Sequence, residues 1–259
     1  MIEITDINDQ RISLYKTLKK AKIEHFSQNV FISEGKKICE CLLDSDLKII
    51  SFFCIEHELA MYYEKLLQKG LNSDQIYFAD IDLMNKIVGF RLHSGILAIA
   101  EIPKESRISD LAAPLVLLNG IVDSENVGAI ARNCAAFNIK SIITDDKTSS
   151  PWLRRAVRVS MGAIFGLDYR AGKNLVAEIK QLKLKNIQII AAEVANNAIS
   201  INECKLPKNC AVIFGSEGRG IDSEILALCD FIVEIPISQK VASLNVAATS
   251  AIILNRIKP

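Results

Sequence analysis

Three short stretches hold residues whose types and spacing suit chemistry. The first is Asp123-Ser124-Glu125-Asn126-Val127-Gly128, with Arg132 about a turn and a half of helix further on. The second is Gly215-Ser216-Glu217-Gly218-Arg219-Gly220, and the third runs from Ile235-Pro236-Ile237 through Ser243-Leu244-Asn245-Val246. Each sets amide, carboxylate, hydroxyl or guanidinium groups just after an apolar run and near the start of a helix. Such places hold a polar ligand with main-chain N–H and C=O groups as well as side chains. The glycines of the second stretch run G-x-x-G-x-G, the reverse of the dinucleotide fingerprint, and no phosphate-loop lysine is present. A tight left-handed turn that needs glycine for geometry alone stays open as the alternative.

The elements around these stretches alternate between strand and helix. PLVLLNGI is a continuous apolar run, as a parallel strand buried on both faces requires. Helix is expected from residue 126 to 137, then the strand SIIT, a helix over 152–161, the strand LDYRA and a helix over 175–182. The strands IQIIAA and CAVIFG follow, then a short helix, the strand FIVEIP, and a final helix capped at its start by Ser243. About six mostly parallel strands with helices on both faces result, and the three stretches fall at strand ends, where open α/β sheets bind ligands. Residues 1–101 form a separate small α/β unit. It opens with a helix over 8–22 and strand NVFI, continues through KIISFFCI, and closes with SGILAIA. The charged segment 102–112 is a linker, and 113–259 is the second domain.

Composition narrows the class. The chain has 259 residues, 50% of them apolar and 24% charged, as folded proteins with ample core do. Its opening residues lack an apolar signal region and no run of 18 apolar residues occurs, so no membrane association and a cytoplasmic location are expected. Seven cysteines without a CxxC pair read as reduced, mostly buried thiols, and no metal site is expected. Net charge is +1, which excludes a polyelectrolyte binder, yet Arg154, Arg155, Arg158, Arg170 and Lys173 fall close together in sequence. That group suits phosphate contact or a solvated helix face.

Taken together, the three stretches resemble the motifs of the SpoU/TrmH family of the SPOUT superfamily, RNA ribose 2'-O-methyltransferases that use S-adenosylmethionine. Asn126-Val127-Gly128-Ala129-Ile130-Ala131-Arg132 is similar to its first motif, Phe214 through Ile221 to its second, and Ile235-Pro236 through Val246 to its third. Ser160-Met161-Gly162-Ala163 fits a further family segment, and the first unit resembles the substrate-binding domain often attached to the family. The resemblance implies a SPOUT domain with a deep trefoil knot, an exception to unthreaded chains. It implies that Gly215, Ser216, Gly218, Ile235, Pro236, Ile237 and Leu244 bind S-adenosylmethionine. Arg132, Asn126, Glu217, Ser243 and Asn245 match the catalytic positions, and Arg154, Arg155 and Arg158 are assigned to RNA phosphate. A homodimer acting on RNA, ribosomal in preference to transfer RNA, is implied as well. The chain departs from the family pattern at Ser124, usually proline, at Asn138 and Gln239, usually glycine, and at Ala247, usually serine. Gln239 leaves a second reading open: a catalytically silent RNA-binding relative acting in RNA or ribosome assembly.

Overall fold

A computed structural model describes residues 1–18 and 23–258. The chain forms two compact units, Met1–Pro103 with Trp152–Phe165, and Lys104–Pro151 with Gly166–Pro259. The excursion 152–165, read from sequence as part of the second domain, belongs to the first unit.

The first unit is a five-stranded mixed sheet. Its strands are β1 (Ile2–Glu3), β2 (Val30–Glu34), β3 (Ile49–Ile55), β4 (Ile76–Ala79) and β5 (Ile96–Glu101), in the order β1-β4-β3-β5-β2. Helices α1 (Ile23–Ser27), α2 (Lys36–Asp44), α3 (Glu56–Gln68) and α4 (Ile81–Val88) connect them. The opening helix expected over 8–22 is a short 3-10 turn, Gln10–Tyr15, capped by the Asp9 carboxylate; residues 19–22 lie outside the described residues. Ile12 and Tyr15 of that turn are buried, and the Tyr15 hydroxyl lies 2.7 Å from Ser51 Oγ. Helix α6 (Arg154–Val159) joins this unit through aromatic packing. Trp152 and Phe165 lie 5.0 and 5.5 Å, ring to ring, from Phe31 of β2. Arg154 donates to the buried Glu34 carboxylate at the end of β2 and lies 4.8 Å over the Phe90 ring.

The second unit is a seven-stranded sheet, one strand more than the sequence suggests. The strands are β6 (Leu115–Asn119), β7 (Ser141–Thr144), β8 (Asp168–Ala171), β9 (Gln188–Ala192), β10 (Ile199–Ser200), β11 (Cys210–Gly215) and β12 (Phe231–Glu234). Their order is β10-β12-β9-β11-β6-β7-β8, and every pairing is parallel. The added strand, β10, has two residues, too short for period-2 alternation to reveal. Helix α5 (Ser124–Ala136) and α9 (Val246–Ile257) cover one face, while α7 (Leu175–Leu184) and α8 (Ser223–Leu226) cover the other. Alternation along β6 explains the layering: Val116 and Leu118 pack towards α5 and α9, Leu115 and Leu117 towards α7 and α8. With all strands parallel, the ends of β6, β9, β11 and β12 share one edge, and the three motifs leave from it. No helix among the described residues is long and apolar enough to cross a membrane.

Truncating Arg154 strands a buried carboxylate on β2. Arg154→Ala is expected to destabilise the first unit by about 3 kcal/mol and to speed amide exchange in β2. Arg158→Ala, at an exposed position of the same helix, should change stability by less than about 0.5 kcal/mol. Hydrogen exchange read strand by strand checks both.

Candidate active site

The site begins with strand ends. β11 lies between β9 and β6, with Gly215 in register with Asn119, so the second motif emerges beside the first. After Gly215 the chain turns back on itself. Ser216 N–H donates to Gly220 O at 3.1 Å, and Gly220 N–H donates to Ser216 O at 2.9 Å. A Cβ on Gly215 would stand 2.4 Å from the Gly220 carbonyl carbon, so only glycine allows the turn to close. Gly220 has φ +68°, the left-handed conformation. The glycines thus serve a tight turn, and that turn also walls a cavity.

Glu217, at the turn's tip, meets the other two motifs. The Asn126 amide donates to Glu217 Oε1 at 3.0 Å, and the Asn245 amide donates to the same oxygen at 2.7 Å and to Asn126 Oδ1 at 3.0 Å. Three side chains spread over 119 residues of sequence become one hydrogen-bonded junction. Asn245 is also the N-cap of α9, its Oδ1 accepting from Ala247 N–H at 2.9 Å. The expected cap, Ser243, lies three residues before the first helical residue, Val246, in the loop that lines the cavity. Asparagine wins the cap because its side chain reaches the free N–H at the second helical position while its backbone leaves the loop.

Helix α5 is fastened to α9 one stretch further on. Asn133, seven residues after Asn126 and on the same helical face, donates to Ala247 O and to Ser250 Oγ, each at 2.9 Å. Arg132 is exposed, and it lines neither the cavity nor the adjoining cleft. Cys134 is fully buried in α5, and burial pushes its thiol up to about 12, so it is no nucleophile at neutral pH.

The cavity is walled by Phe214, Gly215, Ser216, Ile235, Ile237, Ser243 and Leu244, among others. Of the residues expected to bind cofactor, Gly218 instead lines the adjoining cleft, with Asn126, Lys147 and Arg219, and Pro236 lines neither. Gln239 is exposed, lines neither space and has an ordinary negative φ, so this loop does not need glycine there.

Behind the junction lies a polar network that motif reading missed. Asn119, 2% exposed, donates to Asp145 Oδ2 at 2.8 Å and Asp222 Oδ2 at 3.2 Å, and its Oδ1 accepts from Asp222 N–H at 2.8 Å. Asp145 also takes the Gly120 and Thr148 N–H groups. The Lys147 ammonium, 2.9 Å away, and the Asn119 amide hold the Asp222 carboxyl below the usual carboxylate range. The network ties the exits of β6 and β7 to the segment after the glycine turn. Its signal in the sequence is Asn119 itself, a polar residue ending an apolar run.

Comparison with known proteins follows the same outline. Residues 113–255 match the SpoU rRNA Methylase family. Over 232 residues the chain is 31% identical to a protein of Mycobacterium tuberculosis named an uncharacterized tRNA/rRNA methyltransferase, covering 85% of this chain and 78% of that one. It is 24% identical over 258 residues, the full length of both, to the 23S rRNA (guanosine(2553)-2'-O)-methyltransferase RlmP of Bacillus subtilis. The crystal structure of AdoMet-bound rRNA methyltransferase from Sinorhizobium meliloti has the same fold. Its TM-score is 0.83 at 19% identity, over 99% of this chain and 97% of that one.

Asn119→Leu keeps the bulk but leaves Asp145 and Asp222 without their shared donor. A loss of about 2 kcal/mol of stability is expected from the hydrogen bonds to charged groups that the buried network gives up, with faster exchange of the Gly120 amide. Chemical unfolding and hydrogen exchange check the two parts.

Proposed function

The chain belongs to the SpoU rRNA methylase family, and on that footing we propose that it methylates a ribose 2'-hydroxyl in structured RNA, ribosomal in preference to transfer RNA, using S-adenosylmethionine. The observation that carries this reading is the junction of Asn126, Glu217 and Asn245 beside the cavity walled by Gly215, Ile235 and Leu244. The walls fit the donor's chemistry. Apolar side chains and main-chain groups around a glycine that cannot carry a Cβ suit a purine and its ribose. No basic side chain lines the cavity among the described residues, as a phosphate-free ligand allows. When bound, S-adenosylmethionine supplies an electrophilic methyl on a sulfonium.

The protein's part is positioning and electrostatics. Gly215, Ser216, Ile235, Ile237 and Leu244 hold the donor, and Asn126 and Asn245 fix the Glu217 carboxylate at the mouth of the cavity. Arg132 orients the RNA phosphate next to the target ribose; a guanidinium is always protonated at neutral pH and cannot act as the base. Its exposure, away from its own chain's cavity, supports a homodimer in which it serves the partner's site. In that dimer the last helix contributes to the interface, and the segment from β12 to α9 is the knotted part. Arg155 and Arg158, exposed on α6, are assigned to RNA phosphate. Arg154, engaged by Glu34, anchors that helix instead. The first unit binds RNA, and the enzyme works in the cytoplasm. The silent-relative reading rests on Gln239, and its exposed side chain outside the cavity supports the enzyme instead.

Labelled S-adenosylmethionine incubated with total RNA from cells lacking the protein should give one discrete alkali-resistant 2'-O-methyl site. Absence of both incorporation and cofactor binding would return the reading to the silent relative. Arg132→Ala should lower transfer at least about 100-fold while leaving cofactor affinity within about twofold, as calorimetry reads it. Gly215→Ala should lose both, abolishing cofactor binding and with it transfer, because the turn cannot close around the added methyl.

A further inference from the structure

Every charged residue lining the cavity is acidic: Glu193, Glu217 and Glu234 line it, and no lysine, arginine or histidine does among the described residues. Glu217 is engaged by the amides of Asn126 and Asn245. Glu193 is the one held by main-chain groups. It follows the last residue of β9, and its own N–H donates to Val233 O at 3.1 Å. Its Oε2 accepts from Ile221 N–H at 2.8 Å and its Oε1 from Val194 N–H at 3.2 Å. Gly220 makes the room, since a Cβ there would stand 2.4 Å from Glu193 Oε2. The carboxylate is therefore held in place beside Gly220, another residue of the cavity wall, and no rotamer change is needed for its charge to act on a ligand.

We propose that Glu193 is a specificity-determining residue that makes the cavity favour a ligand with positively charged sulfur over its neutral-sulfur counterpart. The inference rests on S-adenosylmethionine being the ligand. Transfer leaves the S–CH3 electron pair on sulfur, joins the methyl to the ribose oxygen and releases the hydroxyl proton to water. Donor and product, S-adenosylhomocysteine, thus differ by one methyl and one charge. Apolar walls and main-chain hydrogen bonds act on both nearly alike, and a fixed carboxylate acts on the difference. The reaction itself then weakens the hold on the product, which speeds its release.

Calorimetry of the full chain with S-adenosylmethionine, S-adenosylhomocysteine and sinefungin tests this, because sinefungin carries an ammonium where the product carries neutral sulfur. The wild type should bind both cationic ligands about fivefold or more tightly than the product. Glu193→Gln retains an acceptor for Ile221 N–H, and it should lower that ratio at least about twofold while product affinity stays within about twofold. Glu193→Asp, keeping the charge, should retain most of the preference. A ratio unmoved in Glu193→Gln, or equal weakening of all three ligands, would show Glu193 to be only a brace for the turn. A wild type that binds none of the three would overturn the cofactor reading itself, a separate outcome.

Discussion

The buried amide of Asn119 is the constraint on which the rest of the site depends. It ends the fully buried strand β6, in register with Gly215 of β11. From there it reaches the carboxylates of Asp145 and Asp222 and accepts the Asp222 N–H. A buried amide with both donors and an acceptor can satisfy two carboxylates and a main-chain group at once, and no apolar residue can replace it without giving up all three bonds. Through it the exit of β7, the loop that starts α5 and the segment leaving the glycine turn are fixed relative to one another. Glu217 and Asn126 meet because these exits are fixed.

Above that network the junction is assembled by helices, each placed by more than one contact. Asn133 fastens α5 to the first turn of α9, and Asn126 and Asn245 cross-link the same two helices seven residues earlier on α5. Asn245 does two jobs with one side chain: its oxygen caps α9 and its amide engages Glu217. The helix start and the polar site therefore cannot move independently. Glu193 braces the glycine turn through Ile221 N–H. The cavity is lined by the ends of β9, β11 and β12, by the loop from Ile235 to Leu244 and by α9.

The positions at which the chain departs from the usual family pattern have local physical answers. Ser124 is the first residue of α5, after the Asp123 cap; proline is favoured at that place because its missing N–H would have no partner there, and serine fills it as well. Asn138 follows α5 with φ +58°, the left-handed conformation that glycine adopts freely and asparagine tolerates best among the rest. Ala247 contributes its carbonyl, which accepts from Asn133 and Ser250, so its side chain is not what the helix pairing uses. Gln239 sits in an exposed loop whose backbone any residue can adopt.

The sequence by itself determined the α/β alternation, the buried parallel strands and which polar residues gather. Apolar runs such as PLVLLNGI and CAVIFG and their glycine-rich exits are local signals, set by periodicity and turn chemistry, and the family motifs fall on them. Where signals were short or competing, local reading fell behind. The two-residue β10 has too little pattern, Asn245 outcompeted Ser243 as the cap, and the 3-10 turn at Gln10–Tyr15 replaced a longer helix. Only the tertiary structure decided that 152–165 packs with the first unit, because the aromatic contacts of Trp152 and Phe165 to Phe31 join residues more than a hundred apart. It decided likewise that Arg154 belongs to Glu34, that Asn119 bridges two aspartates and that Glu193 lines the cavity. Each of these depends on which strand end lies beside which. Strand order in a parallel sheet is fixed by crossover packing over the whole domain, and no short window of residues carries it.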